Sequence, residues 1–222
     1  MLSWLVGMDS RLKIKVCGLT SERDVDLALA AGADYFGFIT YAPSPRAVSV
    51  QRAYELAARV PAGQRVVVDV ASTPEQLECY RDAGFDRFQI HVELSMAEAS
   101  LRTWSDLVGA DRLWLAPRLK SGESVPDSWF GHAESFLVDT YSKGQVGGTG
   151  QTGDWAQFAE LRVATPAVQW ILAGGLHAGN VHAALAATGA RHIDVNSGVE
   201  SSPGVKDPRK MSELFQVLLA MH

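Results

Sequence analysis

Eight short apolar runs recur along the chain, and each is followed by a stretch with helical spacing or by room for one. They fall at residues 12–17, 35–39, 65–70, 87–91, 112–116, 135–139, 170–173 and 192–195. Short runs rich in Val and Ile, bounded by turn residues, read as strands buried on both faces. Strands alternating with helices imply a parallel sheet. Eight such units in 222 residues predict an α/β fold, a closed (β/α)8 TIM barrel in a single domain spanning 12–222. A doubly wound open sheet is the other architecture that alternation allows, but the first run is not followed by the G-x-G-x-x-G of a dinucleotide fold.

The intervening helices carry their own signals. Ser21-Glu22-Arg23-Asp24 has the form of a capping box ahead of Val25, Ala28 and Leu29, with Gly32 as the stop. Ala53, Leu56, Ala57 and Val60 keep helical spacing. Pro74 opens a helix over 74–83. Further helices are expected at 95–107, 154–162 and 180–188, with 126–130 the best segment after the fifth strand. In the last helix Asp207 caps, Pro208 sits at the first position, and Met211, Leu214, Phe215 and Leu218 share a face.

Composition narrows the function. The formal net charge is −5 with no basic run, which argues against nucleic acid as a partner. No apolar run approaches the ~20 residues of a membrane helix. The two cysteines, Cys17 and Cys79, have no C-x-x-C or metal spacing, so a reducing cytoplasm is expected and no metal site. Cys79, inside a helix, reads as structural. Residues 1–11 are briefly apolar without a basic n-region, and read as an extension rather than a signal peptide. Translation from Met8 is the alternative.

In a barrel of this kind the chemistry lies at the C-terminal ends of the strands. That rule selects Cys17, Arg46, His91, Arg118, Asp139, Gly174, Gly175, Ser197 and Gly198. The seventh and eighth strands end in Gly174-Gly175 and Asn196-Ser197-Gly198. Glycine turns there, with helix N-termini beyond, can hold a phosphate dianion through backbone N–H groups. Cys17 and Asp139 could act as general base and general acid, one removing a proton from a sugar and one supplying it. Arg46 could pair with a carboxylate through its planar fork. Each also has an ordinary reading: a core cysteine, a turn-capping aspartate, a solvated arginine.

Longer stretches then carry a resemblance. Lys15-Val16-Cys17-Gly18-Leu19-Thr20, Ala31-Gly32-Ala33-Asp34, Ser44-Pro45-Arg46, Gln89-Ile90-His91, Gly147-Gly148-Thr149-Gly150, Leu172-Ala173-Gly174-Gly175 and Asp194-Val195-Asn196-Ser197-Gly198-Val199-Glu200 through Asp207 together span nearly the whole chain. This set resembles the phosphoribosylanthranilate isomerases of tryptophan biosynthesis. The resemblance implies a (β/α)8 barrel without a cofactor, acting on a small phosphosugar as a monomer or homodimer. It makes Cys17 the base and Asp139 the acid of an Amadori rearrangement. Arg46 would meet the anthranilate carboxylate and His91 would contact substrate. Gly148, Gly174, Gly175, Ser197 and Gly198 would hold the phosphate.

The chain departs from the family pattern in three places. Asp69 stands where the third strand usually has Phe, and Ala71 where it has Asn. Val92 follows His91 in place of Gly. Pro117-Arg118 replaces the more usual Lys-Ala. Related phosphosugar enzymes fit less well: the histidine-pathway isomerases use Asp where this chain has Cys17 and Ala116, and no Lys/Glu set matches indole-glycerol-phosphate synthase. A non-catalytic phosphate-binding protein is the third alternative, and the presence of both Cys17 and Asp139 counts against it.

Overall fold

The computed structural model describes residues 11–140 and 154–221. Its eight parallel strands close into one barrel in chain order. They are β1 (Lys13–Val16), β2 (Tyr35–Ile39), β3 (Arg65–Val70), β4 (Arg87–Glu93), β5 (Leu113–Arg118), β6 (Ser135–Asp139), β7 (Gln169–Ala173) and β8 (His192–Val195). The last strand pairs with the first, from Lys13↔His192 to Val16↔Val195. Among the described residues seven α-helices surround the barrel: α1 (Glu22–Ala31), α2 (Val50–Ala57), α3 (Pro74–Asp82), α4 (Glu98–Val108), α5 (Trp155–Ala164), α6 (Val181–Thr188) and α7 (Pro208–Leu219). A small hairpin, β9 (Glu200–Ser202) and β10 (Val205–Lys206), follows β8.

Strand alternation splits the apolar residues into two cores. Cys17, Val66, Val68, Trp114, Leu137 and Ile171 fill the barrel interior. Phe36, Phe38, Val67, Phe88 and Ile90 point the other way and pack under the helices. Each fully buried large apolar side chain contributes about 1.5–3 kcal/mol, so both layers matter to stability. Gly37 faces inward on β2, where a Cβ would stand 3.0 Å from Cys17 Sγ and 3.0 Å from Lys15 Nζ. Its missing side chain is what lets those two groups share the space.

The helix termini follow the sequence closely. Ser21 Oγ accepts from Asp24 N, and Gly32 closes α1 in the left-handed region at φ 89°. The reciprocal box forms instead on α3, where Thr73 and Gln76 cap each other. Asp207 accepts from the N–H groups of Arg209 and Lys210, and α7 buries Met211, Leu214, Phe215 and Leu218.

Three expectations need correction, and one departure from the family pattern finds its reason. The helix expected at 126–130 is a single 3-10 turn, Asp127–Trp129. Pro126 before it has the non-helical ψ of 135°, and buried Val125, Trp129 and Ala133 cover the barrel there. The helix expected from 95 begins at Glu98. β4 runs on past His91 to Glu93, pairing with Arg118, and Met96 N then donates to Glu93 O to form a turn. Cys79 lies exposed on α3, so it has no packing role. Asp69, odd for a barrel strand, points outward with Val67 rather than into the barrel. There its carboxylate accepts from Ser72 Oγ at 2.7 Å and Tyr80 Oη at 2.8 Å, so this buried charge is hydrogen-bonded. Ala71 beyond it adopts φ 45°, a left-handed conformation that costs a non-glycine residue about 1–2 kcal/mol.

At the other end of the barrel His192 is buried, its ring stacked on Tyr35 and edge-on to Trp114. Nε2 has no hydrogen-bond partner. Burial, then Lys15 and Lys13, push its pKa down to about 3. His91 is likewise pushed down to about 4, by burial and then Lys15. The unfolded chain protonates both near 6.5, whereas the folded chain resists until those lower values. Their contribution is therefore complete above pH 6.5 and is lost as pH falls towards 4 and 3. At roughly 1.4 kcal/mol per unit, His192 alone accounts for a few kcal/mol. Urea midpoints should fall steeply between pH 7 and 4, and His192→Phe should flatten that fall. An unchanged slope in the variant would exclude His192 as a source.

Candidate active site

Cys17 follows β1 directly, and its N–H donates to Val195 O at 2.9 Å, which ties the thiol to β8. Asp139 ends β6. Cys17, Asp139, Arg46, His91, Gly174, Gly175 and Ser197 all line one cavity of about 280 Å3. It shares His91, Leu137 and Asp139 with a neighbouring space of about 840 Å3 over β4 and β5. Gly198 sits just outside, where a Cβ would stand 1.9 Å from Leu176 O. The turns after β7 and β8 are thus in direct backbone contact. Gly148 lies outside the described residues. Arg118, 80% exposed and paired with Glu93 at 3.3 Å, is outside this cavity and lines the wider space beside it.

The turns after β7 and β8 are built differently from one another. Gly174 and Gly175 both have positive φ, 105° and 60°. Asn180 Nδ2 donates to Gly175 O at 3.0 Å, and His177 N donates to Asn180 Oδ1 at 2.8 Å. α6 begins at Val181, beyond a braced loop and one residue from the expected start at 180. After β8 only one 3-10 turn stands, Ser197–Val199.

Electrostatics at the thiol come largely from its own strand. Burial raises the Cys17 pKa above its ordinary value, and Lys15 acts against that rise. No long helix begins at Cys17; α1 starts at Glu22. The positive charge is Lys15 itself, fully buried two residues back on the same strand face and 2.9 Å from Asp194 Oδ1. Asp139 is exposed at its strand end. His91, with its lowered pKa, is neutral near pH 7, and its Nε2 lies 3.1 Å from the Gln89 amide.

Arg46 is held by a carboxylate of the protein. Its Nε and Nη2 donate to Glu200 at 2.9 and 2.7 Å, which leaves Nη1 outside the fork. Glu200 also accepts from Lys206 Nζ at 2.9 Å, and Lys206 donates to Asn196 Oδ1 at 3.0 Å. Gly18, at φ 71°, lies beneath this cluster: a Cβ there would meet Arg46 Cδ and Asn196 Oδ1, each at 2.8 Å. Sequence reasoning did not single out Lys15, Asp194, Glu200 or Lys206. Lys15 was detectable, because period-2 alternation puts it on the face of Cys17. Glu200 and Lys206 stand inside the long C-terminal motif, but nothing in their spacing says which side chain they meet.

A thiol, a carboxyl and two glycine turns on the C-terminal rim of a closed eight-stranded parallel barrel define an enzyme of the (β/α)8 class. Among the described residues there is no cluster of His, Cys, Asp and Glu able to hold a metal ion, and no helix is long and apolar enough to cross a membrane. The family model for N-(5'-phosphoribosyl)anthranilate (PRA) isomerase matches residues 14–217. The N-(5'-phosphoribosyl)anthranilate isomerase of Synechococcus sp. is 36% identical over 213 residues, covering 93% of this chain and 96% of its own. The TrpF structure from Jonesia denitrificans superposes with a TM-score of 0.76 at 30% identity, over 94% of this chain and 97% of that one. The phosphoribosyl anthranilate isomerase structure from Thermus thermophilus gives 0.78 at 27%, over 95% and 100%. The chain is an isomerase of the N-(5'-phosphoribosyl)anthranilate isomerase family.

Proposed function

We propose that the chain rearranges N-(5-phosphoribosyl)anthranilate to 1-(2-carboxyphenylamino)-1-deoxyribulose 5-phosphate, with Cys17 as general base and Asp139 as general acid. The observation that carries this reading is the meeting of Cys17 and Asp139 in one cavity with Gly174, Gly175 and Ser197. Asp139 gives a proton to the ring oxygen, the furanose opens, and the nitrogen lone pair leaves an iminium at C1. Cys17 thiolate removes the C2 proton and an enolamine forms. Tautomerisation places the carbonyl at C2 and a hydrogen on C1, so no external oxidant or reductant is needed.

The rest of the site has matching roles. Gly174, Gly175, Ser197 and Gly198 receive the phosphate at the rim, joined by Gly148 as the family resemblance implies. Arg46 offers Nη1 to the anthranilate carboxylate while Glu200 fixes the plane of its guanidinium. Neutral His91 lies between the cavity and the wider space over β4 and β5, where an aromatic ring has room. The protein works on a small molecule in tryptophan biosynthesis. Following the fluorescence of phosphoribosylanthranilate with purified full-length chain tests the reading: the signal should decay in proportion to protein. A protein that binds phosphate yet leaves the signal constant would be a binding protein instead.

A further inference from the structure

Barrel interiors are usually filled by branched apolar side chains. Here one layer holds an ion pair: Lys15 is fully buried, and Nζ donates to Asp194 Oδ1 at 2.9 Å. The two residues are register partners across the β1–β8 seam. A buried pair of this sort adds little to stability, because desolvating both ions offsets their attraction. Its position suggests another use. A Cβ on Gly37 would be 3.0 Å from both Lys15 Nζ and Cys17 Sγ, so the ammonium and the sulfur lie at most twice that distance apart.

We propose that Lys15 is a positioning residue for the isomerisation: its ammonium, held in the barrel by Asp194, favours the thiolate form of Cys17. The role in catalysis rests on the reading of Cys17 as the base; the effect on the thiol does not. Lys15 keeps its charge because Asp194 and Cys17 outweigh the cost of burial, which leaves its pKa above the usual lysine value. Other charged or titratable groups also act here. Asp194 opposes the thiolate, and Lys206, from the hairpin after β8, supports it. Arg46 feels the Cys17 charge from the β2 loop. His91 on β4 and His192 on β8 feel Lys15, and Asp139 shares the cavity. Of the charges acting on the sulfur, Lys15 is the largest.

The test titrates the thiol directly. In a Cys79→Ser background, the thiolate ultraviolet absorbance is followed against pH, with the matching Cys17→Ser protein subtracted. A cation this close shifts such a midpoint by about one unit or more. Lys15→Met should therefore raise the Cys17 midpoint by at least one unit, and the acid limb of kcat should move up with it. Lys15→Met leaves Asp194 buried without its partner. Where that variant does not fold, Lys15→Met/Asp194→Asn removes both charges, and its midpoint should still rise, by less. An unchanged midpoint in a folded Lys15 variant overturns the proposal. A raised midpoint in a protein whose Cys17→Ser form stays active supports the electrostatic role and removes Cys17 as the base. That outcome separates failure of the proposed function from failure of this inference.

Discussion

Cys17→Ser and Asp139→Asn should each lower kcat on phosphoribosylanthranilate by at least about 10²-fold, while substrate still binds. A serine hydroxyl in place of Cys17 keeps the shape of the site but ionises far less readily than a thiol. Asparagine at 139 keeps a hydrogen-bond donor but has no transferable proton. Neither substitution touches the glycine turns, so KM should change less than kcat. The measurement is steady-state kinetics on both variants, with the kcat–pH profile alongside. The parent profile should have one limb for each group. Near wild-type kcat in both variants would remove the mechanism. Retention in Asp139→Asn alone would mean that the ring opens without it, and Asp139 would be a turn residue.

Gly198→Ala should act on KM instead. Its Cβ would stand 1.9 Å from Leu176 O and 2.8 Å from Leu176 C, and backbone atoms cannot rotate away. The turn after β8 must then move off the turn after β7, and a phosphate held between them loses one side of its cradle. Anion stabilisation by such N–H groups is worth up to ~2 kcal/mol, so KM should rise about tenfold or more. Overpacking of this kind also costs about 1–3 kcal/mol of stability, which a thermal melt will show. Inhibition by inorganic phosphate should weaken in parallel with KM. Wild-type KM and unchanged phosphate inhibition in a folded Gly198→Ala protein would place the phosphate elsewhere.

The barrel was legible because its signals are local and repeated. All eight strands fall where apolar runs meet turn residues, and the last helix begins at Pro208 as its cap predicts. The helix at 126–130 was misjudged because one buried tryptophan, Trp129, covers the barrel in place of a full helix. Periodicity cannot register a single large side chain. For the site, strand ends identified Cys17, Asp139 and the two glycine turns, since position along a strand is what a sequence displays well. The partners were harder. Arg46 meets Glu200 across 154 residues of chain, and no spacing rule connects them. Asp69 looked misplaced until its outward face and Tyr80 supplied the hydrogen bonds.

The seam between β1 and β8 also bears on how the chain reaches its native state. Lys15 and its counter-ion Asp194 are 179 positions apart in the chain. In the folded protein Asp194 is the carboxylate that accompanies this ammonium into the barrel interior. The step that neutralises it is also the step that joins the ends of the sheet. Long-range closures of this kind are slow, because the chain entropy is lost before the contacts form. The environment of the Cys17 thiol is therefore completed only when the eighth strand docks, since a chain that stops short of Asp194 lacks the carboxylate that holds Lys15.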